Sequence, residues 1–308
     1  MEHVPVLLEQ TLAALDLKPG DKVLDCTFGR GGHTREMLKF VGPRGLVIGL
    51  DVDAAALVAA TELQGEPAFR FVRCDFRQLD SALALVDVKR VNKVLFDFGV
   101  SSPQLDSSWR GFSYLHDAKL DMRMDERRQD SAYEVINTYS EATLAGILRE
   151  YGEERWHKRI AAFIVKARAE RAIETTQELV SIIKAAIPKG VRDKEDQHPA
   201  RRTFQALRIA VNDELNALRE ALPKAVQALE RGGRICCISF HSLEDRAVKQ
   251  FMVTSAKECT CPPGIPQCVC HVKPTLRLLS RKAISPSMGE IEANPRSRSA
   301  RLRAAERL

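Results

Sequence analysis

The sequence lacks an apolar run that approaches the roughly 20 residues needed to cross a membrane as a helix. Its first residues also lack the basic segment and apolar core of a secretory signal. Internal repeats and long low-complexity tracts are absent as well. We therefore expect a soluble, cytoplasmic protein without a membrane partner, whose 308 residues form one large domain or two smaller ones.

Two common phosphate-binding loops are also absent, although the chain has a glycine-rich turn. A strand-like run at residues 22–26 is followed by three glycines within residues 29–32 and then by a helical pattern. The dinucleotide fingerprint needs a third glycine where this chain has Thr34, and the phosphate loop of ATPases needs lysine where it has His33. The turn indicates a different nucleoside cofactor, and its pattern is that of methyltransferases.

Four predicted strands each end in an aspartate, namely Asp25, Asp51, Asp75 and Asp97. These strands alternate with predicted helices, which is typical of a parallel sheet with right-handed crossovers. Such a sheet gathers the carboxyl ends of its strands along one edge, where ligands bind. Asp51 lies about 20 residues after Gly29, where a carboxylate reaches the ribose hydroxyls of a nucleoside cofactor.

The alternation of strands and helices stops near residue 105, and strand character returns only at residues 233–240. Residues 131–187 between them have helical periodicity, with capping boxes at Ser131 and Thr175. We therefore predict an α/β fold of the class I (Rossmann-like) methyltransferase type with an inserted all-helical domain. The predicted boundaries are 1–104 and 205–308 for the methyltransferase domain and 105–204 for a helical, substrate-recognition insertion.

The chain carries a net charge of +6, and its basic residues are concentrated at one end. Residues 271–308 hold a surplus of Lys and Arg equal to that of the whole chain, which is consistent with RNA as a partner or with a solvated tail. The arginine-rich helix predicted at 201–211 is equally consistent with RNA contact or with an ordinary surface helix whose Phe204, Leu207 and Val211 face the core. We expect residues 286–303 to form a loop followed by a terminal helix.

The eight cysteines form two groups. Four lie in apolar, strand-like runs and are expected to be reduced and buried: Cys26, Cys74, Cys236 and Cys237. The other four form two Cys-x-Cys pairs: Cys259, Cys261, Cys268 and Cys270. Such a cluster can supply thiolates to zinc, but the usual zinc knuckle has Cys-x2-Cys spacing, and free structural thiols are the other interpretation. From the sequence we assign no metal ligand.

Residues 97–106 follow the fourth predicted strand and contain a second informative motif. In methyltransferases that act on exocyclic amines, this loop holds the target nitrogen, and it usually has Asp, Asn or Ser before two prolines and an aromatic residue. Here Asp97 is in place, but Phe-Gly-Val follows it. The general amine signature is therefore matched only in part.

Seven runs of the sequence closely resemble the RsmH (MraW) family, whose members are bacterial 16S ribosomal RNA cytosine-N4 methyltransferases. These runs are residues 27–33, 97–106, 110–113, 120–125, 151–155, 198–206 and 238–246. The resemblance extends from His3 to about Arg303. One departure is Phe98, where the family usually has leucine, and this exchange keeps the position apolar.

The resemblance implies S-adenosylmethionine as methyl donor and a cytidine near the decoding centre of the small ribosomal subunit as acceptor. It also implies a set of cofactor-binding residues. These are Gly31, Gly32 and His33 at the methionine and sulfonium end, Asp51 at the ribose hydroxyls, Phe76 beside the adenine, and Asp97 and Gln104, which complete the pocket. The oligomeric state does not follow from the sequence.

Asp97 is also the candidate catalytic residue. The cytosine amine is a poor nucleophile because its lone pair is delocalised into the ring, and a group that accepts a hydrogen bond from N4 would restore nucleophilicity and receive the proton. Alternatively, Asp97 only orients the cofactor, and a backbone carbonyl near residues 99–101 accepts the amine. Trp109, Arg110 or His241 could help to unstack the base, although core packing is the favoured role of Trp109.

Two other interpretations compete with a methyltransferase. A dinucleotide-dependent oxidoreductase would share the sheet, but the missing third glycine argues against it. A non-catalytic RNA-binding module would have no need for strands that end in acids around a glycine turn. The acids Asp121 and Asp125, on either side of Arg123, resemble a metal or acid/base site, but we favour an ion-paired loop because no His or Cys is nearby.

Overall fold

The computed structural model describes residues 5–100, 104, 109–194, 197–259, 261 and 270–308. Within it the chain divides into two compact units. The first unit consists of Met1–Gly99 and Leu215–Leu308, and the second of Val100–Glu214. Among the described residues, no helix combines the length and the apolar character that a membrane span requires.

The first unit contains a seven-stranded sheet with helices between its strands. Its strands are β1 (Lys22–Asp25), β2 (Leu46–Asp51), β3 (Phe69–Arg73), β4 (Val91–Asp97), β5 (Leu229–Ser239), β6 (Leu276–Leu278) and β7 (Arg301–Arg307). Its helices are α1 (Leu8–Leu15), α2 (Gly32–Val41), α3 (Ala54–Thr61), α4 (Leu79–Leu85), α11 (Glu214–Ala228, which begins at the last residue of the second unit), α12 (Ser242–Ser255) and α13 (Met288–Ala293). Short 3-10 turns lie at Phe76–Gln78 and Pro295–Ser299.

The order of the strands in this sheet is β3-β2-β1-β4-β5-β7-β6. Strands β1 to β5 are parallel, whereas β7 runs antiparallel to both β5 and β6. Leu24 of β1 lies opposite Ile48 of β2 on one side and Val94 of β4 on the other. The chain therefore reverses its direction across the sheet at β1, and such a switch point opens a crevice outside the carboxyl ends of the strands.

Successive residues of the central strands pack into different cores, because side chains alternate between the two faces of a strand. On β4, Val94 and Phe96 enter one hydrophobic cluster, and Leu95 between them enters another. Cys236 and Cys237 of β5 divide in the same way. The sheet is thus covered on both faces, which explains why its strands have nearly continuous apolar sequences.

The prediction of a terminal helix after residue 286 is wrong in its last part. Residues Arg301–Arg307 form β7, which pairs with both β5 and β6. The sequence of β7 is rich in Ala, Arg and Glu, which favour helices, but Leu302 and Ala304 are buried in the sheet core. Pairing between two strands has overridden local propensity here.

The second unit is helical and has its own hydrophobic cluster. Its helices are α5 (Ala132–Thr138), α6 (Glu141–Gly152), α7 (His157–Glu170), α8 (Thr176–Ala186), α9 (Lys189–Arg192) and α10 (Arg201–Asn212). The capping boxes predicted at Ser131 and Thr175 are present at the starts of α5 and α8. Phe204, Leu207 and Val211 of α10 are buried, as expected for a helix with one face in a core.

The observed border of the second unit differs from the predicted insertion of residues 105–204. The unit begins at Val100 and ends at Glu214, so that it includes the whole of α10. Helix α10 belongs here because it packs tightly on α6: a Cβ atom on Gly152 would lie 2.8 Å from the carbonyl oxygen of Arg202. The role of this unit in substrate recognition stays a prediction.

Candidate active site

The turn between β1 and α2 lies at the switch point of the sheet. Gly31 precedes α2 with a backbone φ of 73°, a left-handed conformation that favours glycine. A Cβ atom there would lie 2.7 Å from the ring of Phe28, and a Cβ atom on Gly49 of β2 would meet the same ring at the same distance. The two glycines thus make room for Phe28 beneath the turn and set the start of α2.

Asp25 ends β1 and is buried. Its Oδ2 atom accepts a hydrogen bond of 2.7 Å from the hydroxyl of Thr34, and its Oδ1 atom accepts one of 3.2 Å from the N–H of Thr27. Burial raises the pKa of Asp25 to about 6, against the opposing effect of these two hydrogen bonds. Asp25 therefore connects the end of β1 to the first turn of α2.

Asp51 ends β2 and holds two backbone groups of the neighbouring turns. The N–H of Gly29 donates to its Oδ2 atom at 2.8 Å, and the N–H of Asp53 donates to its Oδ1 atom at 2.9 Å. Burial raises the pKa of Asp51 to about 6, although both N–H groups favour its charged form. The acid predicted to take the ribose hydroxyls is therefore linked to the glycine turn.

Asp97 ends β4. The backbone N–H of Asp97 donates a hydrogen bond of 2.6 Å to the hydroxyl of Thr27, in the turn after β1. Its Oδ2 atom lies 3.6 Å from Nδ1 of His33. Its Oδ1 atom is buried and has no hydrogen-bond partner among the described residues. Burial raises the pKa of Asp97 well above its usual range, and the charges of Asp25 and Glu244 add to this rise.

The turn after β5 completes the edge at which β1 and β4 end. Glu244 is buried, and its Oε2 atom accepts hydrogen bonds from the N–H groups of Phe240 at 2.8 Å and His241 at 3.3 Å. His241 in turn accepts from the N–H of Glu244, so that the pair forms a capping box at the start of α12. Sequence reasoning missed Glu244, although its position three residues after His241 is the spacing of a capping box.

These observations define a site that is rich in acids and contains a buried acceptor. Asp25, Asp51 and Asp97 lie at the carboxyl ends of adjacent strands, and all three have raised pKa values because of burial. Such an edge repels the pyrophosphate of a dinucleotide and favours a ligand that carries positive charge. The acid-rich edge therefore argues against the oxidoreductase interpretation.

Comparison with known proteins agrees with this chemistry. The profile of the MraW methylase family matches residues 1–308. The chain belongs to the MraW methylase family. It is 49% identical to the ribosomal RNA small subunit methyltransferase H of Halothermothrix orenii over 100% of this chain and 99% of that protein. It is 51% identical to the protein of the same name from Symbiobacterium thermophilum over 99% and 96% of the two chains.

Among solved structures, an rRNA methylase from Streptococcus thermophilus aligns with 100% of this chain and 99% of its own, at 13% identity and a TM-score of 0.43. The family resemblance predicted from the sequence is confirmed. The Rossmann-like methyltransferase fold and S-adenosylmethionine as methyl donor are confirmed as well.

The residues of this MraW family member fit that donor. The donor carries a cationic sulfonium and an ammonium group, and the site offers three acids, Asp25, Asp51 and Asp97. A positive charge beside Asp97 would favour its ionised form and so lower its raised pKa. The predicted residues Gly31, Gly32, His33, Asp51 and Asp97 lie in or beside the turns of this edge.

The remaining predicted site residues have different surroundings. Phe76 is half-buried in the first unit, and its ring makes edge contacts with Phe96 at 5.7 Å and Phe98 at 6.2 Å between ring centroids. Gln104 is buried and belongs to the second unit. Contact of Phe76 and Gln104 with the cofactor stays a prediction.

The prediction that Trp109 packs in the core is wrong, because 65% of this side chain is exposed. Its neighbour Arg110 is buried instead, and its Nη2 atom donates to the carbonyl oxygens of Arg123 and Met124. Arg110 therefore holds a loop of the second unit in place.

The prediction of an ion-paired loop at residues 121–125 is confirmed for both of its acids, Asp121 and Asp125. Asp121 binds Arg123 through two contacts, of 2.8 and 2.9 Å. Asp125 binds Arg127 in the same bidentate way, again at 2.8 and 2.9 Å. Each carboxylate is thus engaged by an arginine two residues later.

Proposed function

We propose that this protein transfers a methyl group from S-adenosylmethionine to the exocyclic N4 of a specific cytidine in 16S ribosomal RNA, near the decoding centre of the small subunit. The names of its relatives support small-subunit ribosomal RNA as the substrate. The basic residues of the segment 271–308 suit a phosphate backbone. The reaction takes place in the cytoplasm, where small subunits mature.

One observation carries the choice of an amine as acceptor: the buried Oδ1 atom of Asp97, which has no hydrogen-bond partner among the described residues. Buried acceptors are almost always paired, so an unpaired one at a ligand-binding edge indicates a donor on the ligand. The N4 amine of cytosine carries two N–H groups and is such a donor.

The cofactor would be held at the carboxyl edge of the sheet. S-adenosylmethionine supplies a methyl group that is activated by its sulfonium. Gly31, Gly32 and His33 at the start of α2 would hold the methionine end, and Asp51 would accept hydrogen bonds from the ribose hydroxyls. Phe76 would pack beside the adenine, where its ring already rests on two other aromatic rings. Gln104 would complete the pocket.

The chain's part in the reaction is to align the amine and to take its proton. Asp97 accepts a hydrogen bond from N4, which increases electron density on the nitrogen as it attacks the methyl carbon. After transfer the nitrogen is cationic, and its proton passes to Asp97 directly or through water. Burial of Asp97 among other acids makes it a stronger base than a solvated aspartate.

The variant Asp97→Asn tests this role, because it keeps the shape of the side chain and removes its basicity. We expect turnover to fall about a hundredfold or more, the usual contribution of general base catalysis. Calorimetric titration with S-adenosylmethionine measures binding separately. Asp87→Asn, in an exposed turn, is the matched control and should retain activity. If Asp97→Asn kept near-full turnover with normal cofactor binding, Asp97 would be an orienting residue only.

Labelled S-adenosylmethionine tests the substrate. Small subunits from a strain that lacks the modification, and free 16S ribosomal RNA from the same strain, are incubated with the enzyme, and the nucleosides are analysed by mass spectrometry. We expect N4-methylated cytidine, and the better of the two substrates identifies the assembly state that the enzyme recognises. Cofactor binding without methyl incorporation into either one would overturn the proposed substrate and leave the fold and donor unchanged.

A further inference from the structure

The segment between α12 and β6 contains three cysteines whose sulfur atoms converge. The Sγ atoms of Cys259, Cys261 and Cys270 all lie within 4.8 Å of one another. They come from residues that are as much as eleven positions apart in the chain. The fold therefore brings Cys270 to the first Cys-x-Cys pair, which its separation along the chain does not require. Cys268, the other member of the second pair, lies outside the described residues.

The distances between these sulfur atoms match those around a tetrahedral metal ion. Zinc binds thiolate sulfur at about 2.3 Å, so two sulfur ligands of one tetrahedral ion are about 3.8 Å apart. The Sγ atoms of Cys259 and Cys270 are separated by 3.8 Å. A disulfide bond needs about 2.05 Å between the same atoms, and it would leave the third sulfur without a role.

A backbone contact also favours thiolates at this position. The N–H of Cys261 donates to the Sγ atom of Cys259 at 3.3 Å. Backbone N–H groups that donate to metal-bound sulfur are a common second layer of support, since they stabilise the negative charge of the thiolate. The Cys-x-Cys spacing places this N–H two residues after the sulfur that it contacts.

From this geometry we propose that Cys259, Cys261 and Cys270 bind a zinc ion through their thiolates. Each cysteine loses its S–H proton to solvent when its sulfur binds the metal, and no oxidant or reductant is involved. Zinc is the metal of choice because it prefers thiolate ligands in tetrahedral geometry and has no redox chemistry of its own.

The position of the cluster in the fold makes this zinc structural. Strand β7 begins at Arg301, which lies opposite Ser239 at the edge of the sheet that contains Asp97. At the other end of β7, Arg307 pairs with Leu276 of β6. Helix α12 starts at the catalytic edge and spans 14 residues, about 21 Å. Ser255, which ends α12, and Leu276, which begins β6, therefore lie at the opposite edge of the sheet from Asp97.

The zinc would close a loop whose base is already defined. The N–H of Thr275 donates to the carbonyl oxygen of Ser255 at 2.8 Å, which joins the end of α12 to the residue before β6. A metal bound by Cys259, Cys261 and Cys270 crosslinks the chain just beyond this bond and lowers the entropy of the unfolded loop. Metal binding then contributes to folding of this part of the sheet.

Elemental analysis of the full-length protein tests the proposal. The protein is purified without a histidine tag, under reducing conditions and with zinc in the growth medium. We expect about one equivalent of zinc per chain and a large loss of it in both Cys259→Ser and Cys270→Ser. Cys74→Ser, a half-buried cysteine outside the cluster, is the matched control and should keep the metal.

Cobalt binding to the wild-type protein provides a second readout. It requires neither a measurement of activity nor a serine variant that folds. Reduced, metal-free protein that is titrated with Co²⁺ should develop the intense visible absorption of a tetrahedral ion and a thiolate charge-transfer band, whose intensity reports the number of sulfur ligands. Cys261→Ser should weaken this band. Removal of zinc with a chelator should lower the melting temperature of the wild-type protein and leave that of a cluster variant unchanged.

Three results would overturn the proposal. The first is a zinc content below about a tenth of an equivalent together with no tetrahedral cobalt spectrum. The second is a zinc content that is equal in the wild type and in both serine variants, which would place the metal elsewhere. The third is a mass two hydrogens lower than that of the reduced protein with no zinc bound, which would assign a disulfide to this cluster.

Discussion

Asp25 and Asp97, at the carboxyl edge of the sheet, both have pKa values raised by burial. Asp25 is buried and linked to Thr34, and Asp97, whose side chain is 26% exposed, lies beside the buried His33. Neither acid has an arginine or lysine as its described hydrogen-bond or salt-bridge partner. Ionisation of such groups costs free energy in the absence of a cation, and a positively charged methyl donor offsets this cost when it binds. The local electrostatics thus couple the charge of the acids to the presence of ligand.

Replacement of Asp25 by Asn tests the free-energy cost of ionising this buried acid in the ligand-free protein. The pKa of Asp25 is about 6 in the folded protein and 3.8 in its ordinary state, so its favourable contribution is complete below pH 4 and is lost as the pH rises through 6. Above pH 7, D25N should therefore gain stability relative to wild type, by up to about 3 kcal/mol compared with their difference at pH 4.

Urea denaturation at pH 4, 6 and 8, followed by circular dichroism, measures this difference for D25N. Asp87→Asn, which removes a carboxylate from an exposed turn, is the matched control. A stability difference between wild type and D25N that is constant over this range would contradict a raised pKa for Asp25.

Residue types alone located most of this edge. Asp25, Asp51 and Asp97 are visible in the sequence because each follows an apolar run. The hydroxyl of Thr27, which accepts the N–H of Asp97 from another strand, is not visible, because no local pattern connects residues 70 positions apart. The orphaned Oδ1 atom of Asp97 likewise depends on every neighbour that excludes water from it.

At the scale of elements, the start of α12 connects helix capping to the electrostatics of Asp97. The capping box of His241 and Glu244 satisfies the first N–H groups of the helix. Glu244 also adds to the rise in the pKa of Asp97. The same carboxylate therefore organises the turn after β5 and increases the basicity of the proposed catalytic residue.

The variant Glu244→Gln separates these two roles. The glutamine oxygen still accepts the N–H groups of Phe240 and His241, but the negative charge is lost. We expect the pKa of Asp97 to fall, so the acidic limb of the pH profile of turnover should move to lower pH. Measurement of turnover between pH 5 and 9 gives this limb, and the exposed variant Glu292→Gln is the control.

An unchanged profile in Glu244→Gln, with the helix intact by circular dichroism, would show that Glu244 acts only as a cap. A shift of the acidic limb to higher pH would contradict the sign of the electrostatic effect. Both results differ from a simple loss of folding, which would lower turnover at every pH.

At the scale of the whole molecule, the last strand completes the sheet of the first unit. Strand β7 pairs with β5 along six residues and also with β6. Leu302 and Ala304 fill the cluster that contains Val23, Val47 and Leu95 of the parallel strands. Residues of β7 are therefore part of the core that supports the parallel strands.

Truncation of one leucine tests this contribution. Leu302 is fully buried, and L302A should lower the free energy of unfolding by about 3 kcal/mol through lost contacts and a residual cavity. Leu308, which is 48% exposed, is the matched control, and L308A should cost less than about 0.5 kcal/mol. Urea denaturation measures both values, and equal effects would contradict the placement of β7 in the sheet core.

The sequence by itself determined that several apolar strands each end in an acid, that a glycine turn follows the first of them, and that residues 131–187 are mainly helical. These features depend on local periodicity, capping and steric preference, which act within a few residues. Only the tertiary structure decided that Arg301–Arg307 is a strand and that α10 belongs to the second unit. Pairing and burial between segments far apart in the chain determine these features, and neither leaves a local signature.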